Sequence, residues 1–318
     1  MPLLLTRKDV ESVLTMKEAI AAVEEGFRLL GAGRVNMPQR TAIRLPEMKG
    51  LHLAMPAGLG GDANGEAAAL AIKVVTVFPD NPGQHHLPTT LGTLLLHDPR
   101  TGAVIAIMDA GYLTAVRTGA ASGVATRCLA RDDARTLGIF GAGVQARTQL
   151  LAIREVRPIE RVVVCDPVRE TRERFAAEMS KQLGIQVTPT DEPRRAAEND
   201  IVVTASSSKT PVFASAWIRP GTHINGIGSH SPDARELDTD IVRRAQVVSD
   251  LPAARLAEDA DFMLPIQEGA FTAEHVGTSL GEVLLGTKPG RTARDQVTLF
   301  KSGGLAVLNV SLPEAPRL

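Results

Sequence analysis

The chain has 318 residues, 44% of them hydrophobic, which is enough for about two domains with sizeable cores and no stapling bonds. Its 35 Lys and Arg against 36 Asp and Glu leave a net charge of −1. The basic residues are scattered, so neither a nucleic acid nor a membrane surface is the expected partner, and a small molecule is.

The N-terminus offers Leu3, Leu4 and Leu5 before Arg7, Lys8 and Asp9, which lacks the apolar core of a signal peptide. No run approaches membrane-spanning length, and the two cysteines, Cys128 and Cys165, each sit in an apolar segment rather than a disulfide framework. The expectation is a cytoplasmic protein with both thiols buried as small hydrophobes. Ile20, Val23, Phe27 and Leu30 recur at three and four, predicting a helix over 15–30 that Gly31 and Gly33 stop. Short β-like pieces follow at 40–45, 51–55, 70–78, 90–97 and 103–108. Turn signals at 46–50, 58–65, 80–83 and 98–102 separate them, so successive hairpins in an α+β unit are expected.

Lys73 interrupts AIKVVTVF, sharing a strand face with Ala71, Val75 and Val77. A lysine inside a dry strand needs a partner, and burial lowers its pKa toward proton transfer; the rival reading is a gatekeeper on an edge strand. His85 and His86 lack the i, i+4 spacing of helical metal ligands, so no metal is expected. Residues 112–130 are rich in small side chains and helix-compatible. There Arg117 has Leu113, Thr114, Ala120 and Ala121 as its helical neighbours, none acidic. Its guanidinium either faces water or clamps a carboxylate through two parallel hydrogen bonds.

From Thr136 the pattern changes to strand, tight glycine turn and helix, with Gly141, Gly143 and Ala146 spaced as G-x-G-x-x-A. The first glycine allows the turn, the second lets backbone amides approach a pyrophosphate, and the small third residue lets helix and strand pack closely. A second β-like run, 161–165, ends at Asp166, where an acid can accept from ribose hydroxyls and would repel a 2′-phosphate. The expected cofactor is therefore NAD, with NADP the alternative that Arg169 and Arg172 could admit. Further β-like runs at 185–188, 201–204, 223–227 and 246–249 alternate with helical patterns such as 169–183, implying a doubly wound, Rossmann-like parallel sheet. Ser206, Ser207 and Ser208 follow one such strand and His230 another, on the carboxyl side where open parallel sheets bind ligands. The serines either touch the cofactor or form a polar loop, and His230 either moves a proton or is a structural loop residue. From Leu280 a helical turn and then 297–310 follow, whose packing periodicity does not give.

Several motifs recur in one order: MPQR (37–40), LAMPA (53–57), IKVVTVFPDNP (72–82), LPTT (87–90), LTAVRTGAAS (113–122), GAGVQA (141–146), NGIGSHSPDARELD (225–238), LGEVLLGTKPGR (280–291) and TLFKSGGLAV (298–307). Together they resemble the ornithine cyclodeaminase and mu-crystallin family over nearly the whole chain. The resemblance implies a Rossmann NAD(P) domain over 116–289 and an α+β substrate-binding and homodimerisation domain made from 1–115 with 290–318. It places a substrate carboxylate near Arg40, Lys73 and Arg117, with Met55 beside them, and Thr89 near the nicotinamide. The cofactor set it suggests is Thr89, Thr118, Gly141, Ala142, Gly143, Val144, Gln145, Asp166, Ser206, Ser207 and Gly228. One departure matters: the loop matching 228–232 carries an aspartate in ornithine cyclodeaminases and related alanine dehydrogenases, and here it carries His230. A carboxylate can hold a substrate ammonium, whereas imine reduction asks for a protonated C=N nitrogen, which a histidine or lysine could supply. The implied activity is reduction of a small α-imino acid to an amino acid, or its reverse. Ornithine cyclodeamination and non-catalytic ligand binding are the alternatives.

Overall fold

The structure is a computed structural model that describes residues 1–60, 69–229, 232 and 234–311. It divides into two compact units, Met1–Arg117 with the segment from Leu305, and Thr118–Gly304.

In the first unit, β1 (Leu3–Leu5) leads into α1 (Arg7–Val13) and α2 (Met16–Gly31). Both helices start in capping boxes, Thr6 with Asp9 and Thr15 with Glu18, where hydroxyl and carboxylate satisfy otherwise orphaned amides. Then come β2 (Val35–Asn36), β3 (Thr41–Leu45), β4 (Gly50–Leu59), β5 (Ala69–Val77), α3 (Asn81–Gln84), β6 (Thr90–His97), β7 (Val104–Asp109) and α4 (Gly111–Leu129). β3 to β7 pair antiparallel as the expected hairpins. β1, too short to show a period, adds to β7 in parallel.

β4 runs past the predicted 51–55 because it pairs with β5 from Leu51 to Leu59. Pro56, which cannot donate to a ladder, falls between the stretch paired with β3 (50–54) and that paired with β2 (58–59). The predicted turn at 58–65 begins inside β4, and most of it lies outside the described residues. Alternation sends Leu53, Met55 and Ala57 of β4 and Ala71, Lys73 and Val75 of β5 to the buried face.

The second unit alternates β8 (Thr136–Phe140), α5 (Val144–Val156), β9 (Arg161–Cys165), α6 (Arg169–Leu183), β10 (Gln186–Thr190), α7 (Pro193–Ala197), β11 (Ile201–Thr204) and β12 (His223–Gly226). It continues with α8 (Thr239–Arg244), β13 (Gln246–Ser249), α9 (Pro252–Glu258), α10 (Ala260–Gln267), α11 (Leu280–Leu284) and β14 (Thr298–Lys301). All seven strands are parallel in the order β10-β9-β8-β11-β12-β14-β13. The order reverses direction between β8 and β11, the position at which doubly wound sheets open a crevice.

β14 settles where the C-terminal region goes. The family likeness groups 290–318 with the first unit, but β14 is hydrogen-bonded on both sides, between β12 and β13, so 290–304 lie in the second. The short helix α12 (Val307–Val310) packs on α2, β4 and β5 of the first unit.

Candidate active site

Lys73 lies on the inward face of β5 with 1% of its surface exposed, opposite Met55 of β4. Its Nζ donates to Thr114 Oγ1 of α4 at 3.2 Å, and no carboxylate pairs with it among the described residues. Burial, then the charge of Arg117, then that of Arg40 push its pKa well below the ordinary lysine value. Arg117, one turn along α4 from Thr114, is itself buried with 6% exposed, and Arg40 is half-buried just before β3. The first unit therefore gathers two guanidiniums around one interior lysine. The edge-strand reading of Lys73 fails, because β5 is flanked by β4 and β6. The solvated-face reading of Arg117 fails on its burial. Thr89 is exposed, its carbonyl accepting from Phe78 N at 2.8 Å.

In the second unit the turn after β8 has the geometry its spacing predicts. Gly141 has φ +95°, and a Cβ there would lie 2.5 Å from the Ala205 carbonyl oxygen, so only glycine fits. Gly143 precedes the first turn of α5 without a side-chain cap, and a Cβ on it would meet nothing within 4 Å. Val144 at this helix start is exposed and Gln145 half-buried.

Asp166 closes β9, and its carboxylate accepts from Ala142 N at 3.0 Å and Val168 N at 2.8 Å, tying the turn to the neighbouring strand. Arg169 is engaged by Glu173 at 2.7 Å and Arg172 by Asp191 at 3.1 Å. Both guanidiniums that could have welcomed a 2′-phosphate thus have acids of their own. Thr118 is buried, its carbonyl accepting from Gln149 Nε2 at 3.2 Å. Ser206 is half-buried after β11, Ser207 is exposed, and Gly228 follows β12. His230 lies outside the described residues.

Sequence reasoning missed Glu236. It is fully buried and accepts from Ser206 N at 2.8 Å, Ser206 Oγ at 2.5 Å and Ser229 N at 2.9 Å, joining the loops after β11 and β12. It also missed Lys301, fully buried at the end of β14. Lys301 donates to Asp261 at 2.7 Å and to the Ser229 carbonyl at 2.8 Å, with Asp259 at 3.4 Å, and these acids hold it protonated, above the ordinary lysine pKa. Burial and Asp261 in turn raise Asp259 to about 6 against the pull of Lys301. Nearby, Arg255 pairs with Asp250 at 3.0 Å, and Asp250 accepts from Ser302 and the amides of Gly303 and Gly304. A lysine inside an apolar strand was a legible signal for Lys301, as for Lys73. Its acids sit about forty residues away in sequence, where no spacing rule reaches.

No group of three or more His, Cys, Asp or Glu among the described residues is arranged to hold a metal ion. Several known proteins resemble this chain from end to end. A solved structure of Thermococcus litoralis Δ(1)-pyrroline-2-carboxylate reductase in complex with NADH and L-proline superposes with a TM-score of 0.93 at 44% identity, covering 98% of this chain and 94% of that one. The alanine dehydrogenase of Archaeoglobus fulgidus is 37% identical over 98% of this chain and 92% of its own length. A Δ(1)-pyrroline-2-carboxylate reductase of Bacillus cereus is 35% identical over 97% and 93%. With a model of the ornithine cyclodeaminase/mu-crystallin family matching residues 1–314, the chain belongs to that family.

Proposed function

We propose that this protein is an NAD-dependent oxidoreductase that reduces a small α-imino acid, such as pyrroline-2-carboxylate, to the amino acid, and can run the reverse oxidation. The observation that carries the reading is Lys73, a buried lysine beside Arg117 and Arg40 with no acid of its own among the described residues. Two guanidiniums beside a buried lysine suit the carboxylate of an imino or amino acid. Arg117 offers that carboxylate two parallel donors, with Arg40 beside it, and Met55 lines the apolar side. Lys73, poised to give up a proton by its depressed pKa, protonates the imine nitrogen.

The second unit fits a dinucleotide. Gly141 makes a turn no other residue can, Gly143 leaves the helix amides open for a pyrophosphate, and Asp166 stands at the ribose position with Arg169 and Arg172 committed elsewhere. Bound NAD would supply the hydride acceptor or donor at the substrate carbon. Ala142, Val144 and Gln145 line the turn. Ser206 and Ser207 follow β11, Gly228 follows β12 and Thr118 lies on α4; all four are assigned to the cofactor, as is Thr89. His230 is the alternative proton carrier. The first unit also serves dimerisation, through the outer face of its sheet. Two free cysteines and the absence, among the described residues, of any helix long and apolar enough to cross a membrane support a cytoplasmic location.

The test is cofactor absorbance. NADH should be consumed mole for mole with pyrroline-2-carboxylate. Release of ammonia from ornithine with no net change at the nicotinamide band would make the protein a cyclodeaminase instead. Tight NADH binding with no turnover of any imino or amino acid would leave only a binding role.

A further inference from the structure

We infer that Glu236 is a positioning residue for the nicotinamide half of the cofactor site. Asp166 and the glycine turn occupy the β8–β9 side of the reversal in strand order, so the adenosine end belongs there and the other half of a dinucleotide runs toward the carboxyl ends of β11 and β12. Those ends are the Ser206 and Gly228–Ser229 segments, and one buried carboxylate holds both. Oε1 of Glu236 takes the amide and hydroxyl of Ser206, and Oε2 takes the amide of Ser229.

The same peptide chain is gripped from its other side, where Lys301 donates to the Ser229 carbonyl. Gly228 has no room for a side chain, since a Cβ would strike both Glu236 and the Ser206 carbonyl. Asp261 completes the mount by accepting from the amides of Glu236 and Leu237 at 2.9 Å each. A carboxylate accepts at both oxygens, whereas an amide accepts at one only, so no neutral isostere can hold both segments. The role follows from geometry alone: Glu236 needs no contact with the cofactor to fix where two of its walls stand.

This inference deepens the dinucleotide reading and rests on it. Its test compares two ligands that share the adenosine end, NADH and ADP-ribose. In Glu236→Gln the affinity for ADP-ribose should stay within about twofold, while NADH weakens about tenfold and its bound fluorescence falls. Turnover should show a lower kcat and, with NADH deuterated at the transferred position, a larger isotope effect on kcat, as hydride transfer becomes rate-limiting. Should the glutamine variant fail to fold, Glu236→Asp keeps the buried charge opposite Lys301 and shortens its reach, and the same contrast is expected. Equal weakening of both ligands, or no change in either, overturns the proposal and leaves Glu236 a purely structural acid. If the wild-type protein binds both ligands but turns over no imine, the reductase reading falls, and the binding contrast still decides the role of Glu236.

Discussion

Lys73 and Lys301 are both buried lysines inside apolar strands, and their surroundings drive them in opposite directions. Asp259 and Asp261 keep Lys301 charged, as a structural counter-ion does, while Lys73 has a hydroxyl and two guanidiniums near it and no paired acid among the described residues. An uncompensated interior cation is destabilising, so its retention at this position argues for use rather than support. Replacing Lys73 with Met, of similar shape, should therefore lower kcat/KM for imine reduction by about two orders of magnitude or more, the size of a general-acid contribution. Thermal stability should hold or rise; a marked fall would show that Lys73 is a structural residue. The pH dependence has a definite sign. Because the folded pKa lies below the unfolded 10.5, the unfolded chain binds the extra proton in between, and wild-type stability should climb with pH across that window. Denaturant titrations of the methionine variant should lack this climb.

The turn after β8 was legible in the sequence as an element, since strand, glycine spacing and helix start all agreed, and its two glycines separate structure from binding. Gly141→Ala places a Cβ against the Ala205 carbonyl in a left-handed backbone, and should cost about 3 kcal/mol of folding stability. Gly143→Ala meets nothing and has φ −83°, so folding should change by less than about 1 kcal/mol while NADH affinity drops at least tenfold, measured by fluorescence titration. Equal behaviour of the two variants would remove the pyrophosphate from this turn. The β12–β14 pair was not legible, because its strands lie far apart in the chain and their join depends on a buried polar set. His223 bonds Thr298 Oγ1 at 3.0 Å, and that hydroxyl donates to the Leu129 carbonyl at 2.9 Å. Burial, with Arg291 adding to it, depresses His223 to about 3. The folded chain thus refuses a proton that the unfolded chain takes, and stability should fall by about 1.4 kcal/mol per pH unit as pH drops from 6.5 toward 3. Urea unfolding of His223→Asn at pH 7, 6 and 5 should show lower stability at pH 7 and a flatter acid slope.

At the scale of the whole chain, the sequence read the alternating strands and helices well, because each reports its own periodicity. It read the buried acids of the second unit poorly, because Glu236, Asp250 and Asp261 look like surface residues until their cationic and amide partners are placed. The outer face of the first unit's sheet falls between these cases. Strand alternation that buries Leu53, Lys73 and Leu94 sends Ile43, Ile72, Val74 and Leu91 to the opposite side, where they alternate with Thr41, His52, Thr76 and Thr93. Ile43 is 55% exposed and Leu91 39%, with half-buried Ile72, Val74, Leu95 and Ile107 on the same face. If this mixed face is the dimer interface that the family likeness implies, a self-complementary sheet-on-sheet pairing covers it. The protein should then sediment at twice its chain mass at micromolar concentration. A double substitution, Ile43→Asp with Leu91→Asp, should shift it to the monomer by placing charges where the faces meet. NADH affinity should stay within about twofold in that variant, because the glycine turn belongs to the other unit. A wild-type monomer across the micromolar range, or a dimer that survives both aspartates, would move the interface away from this face.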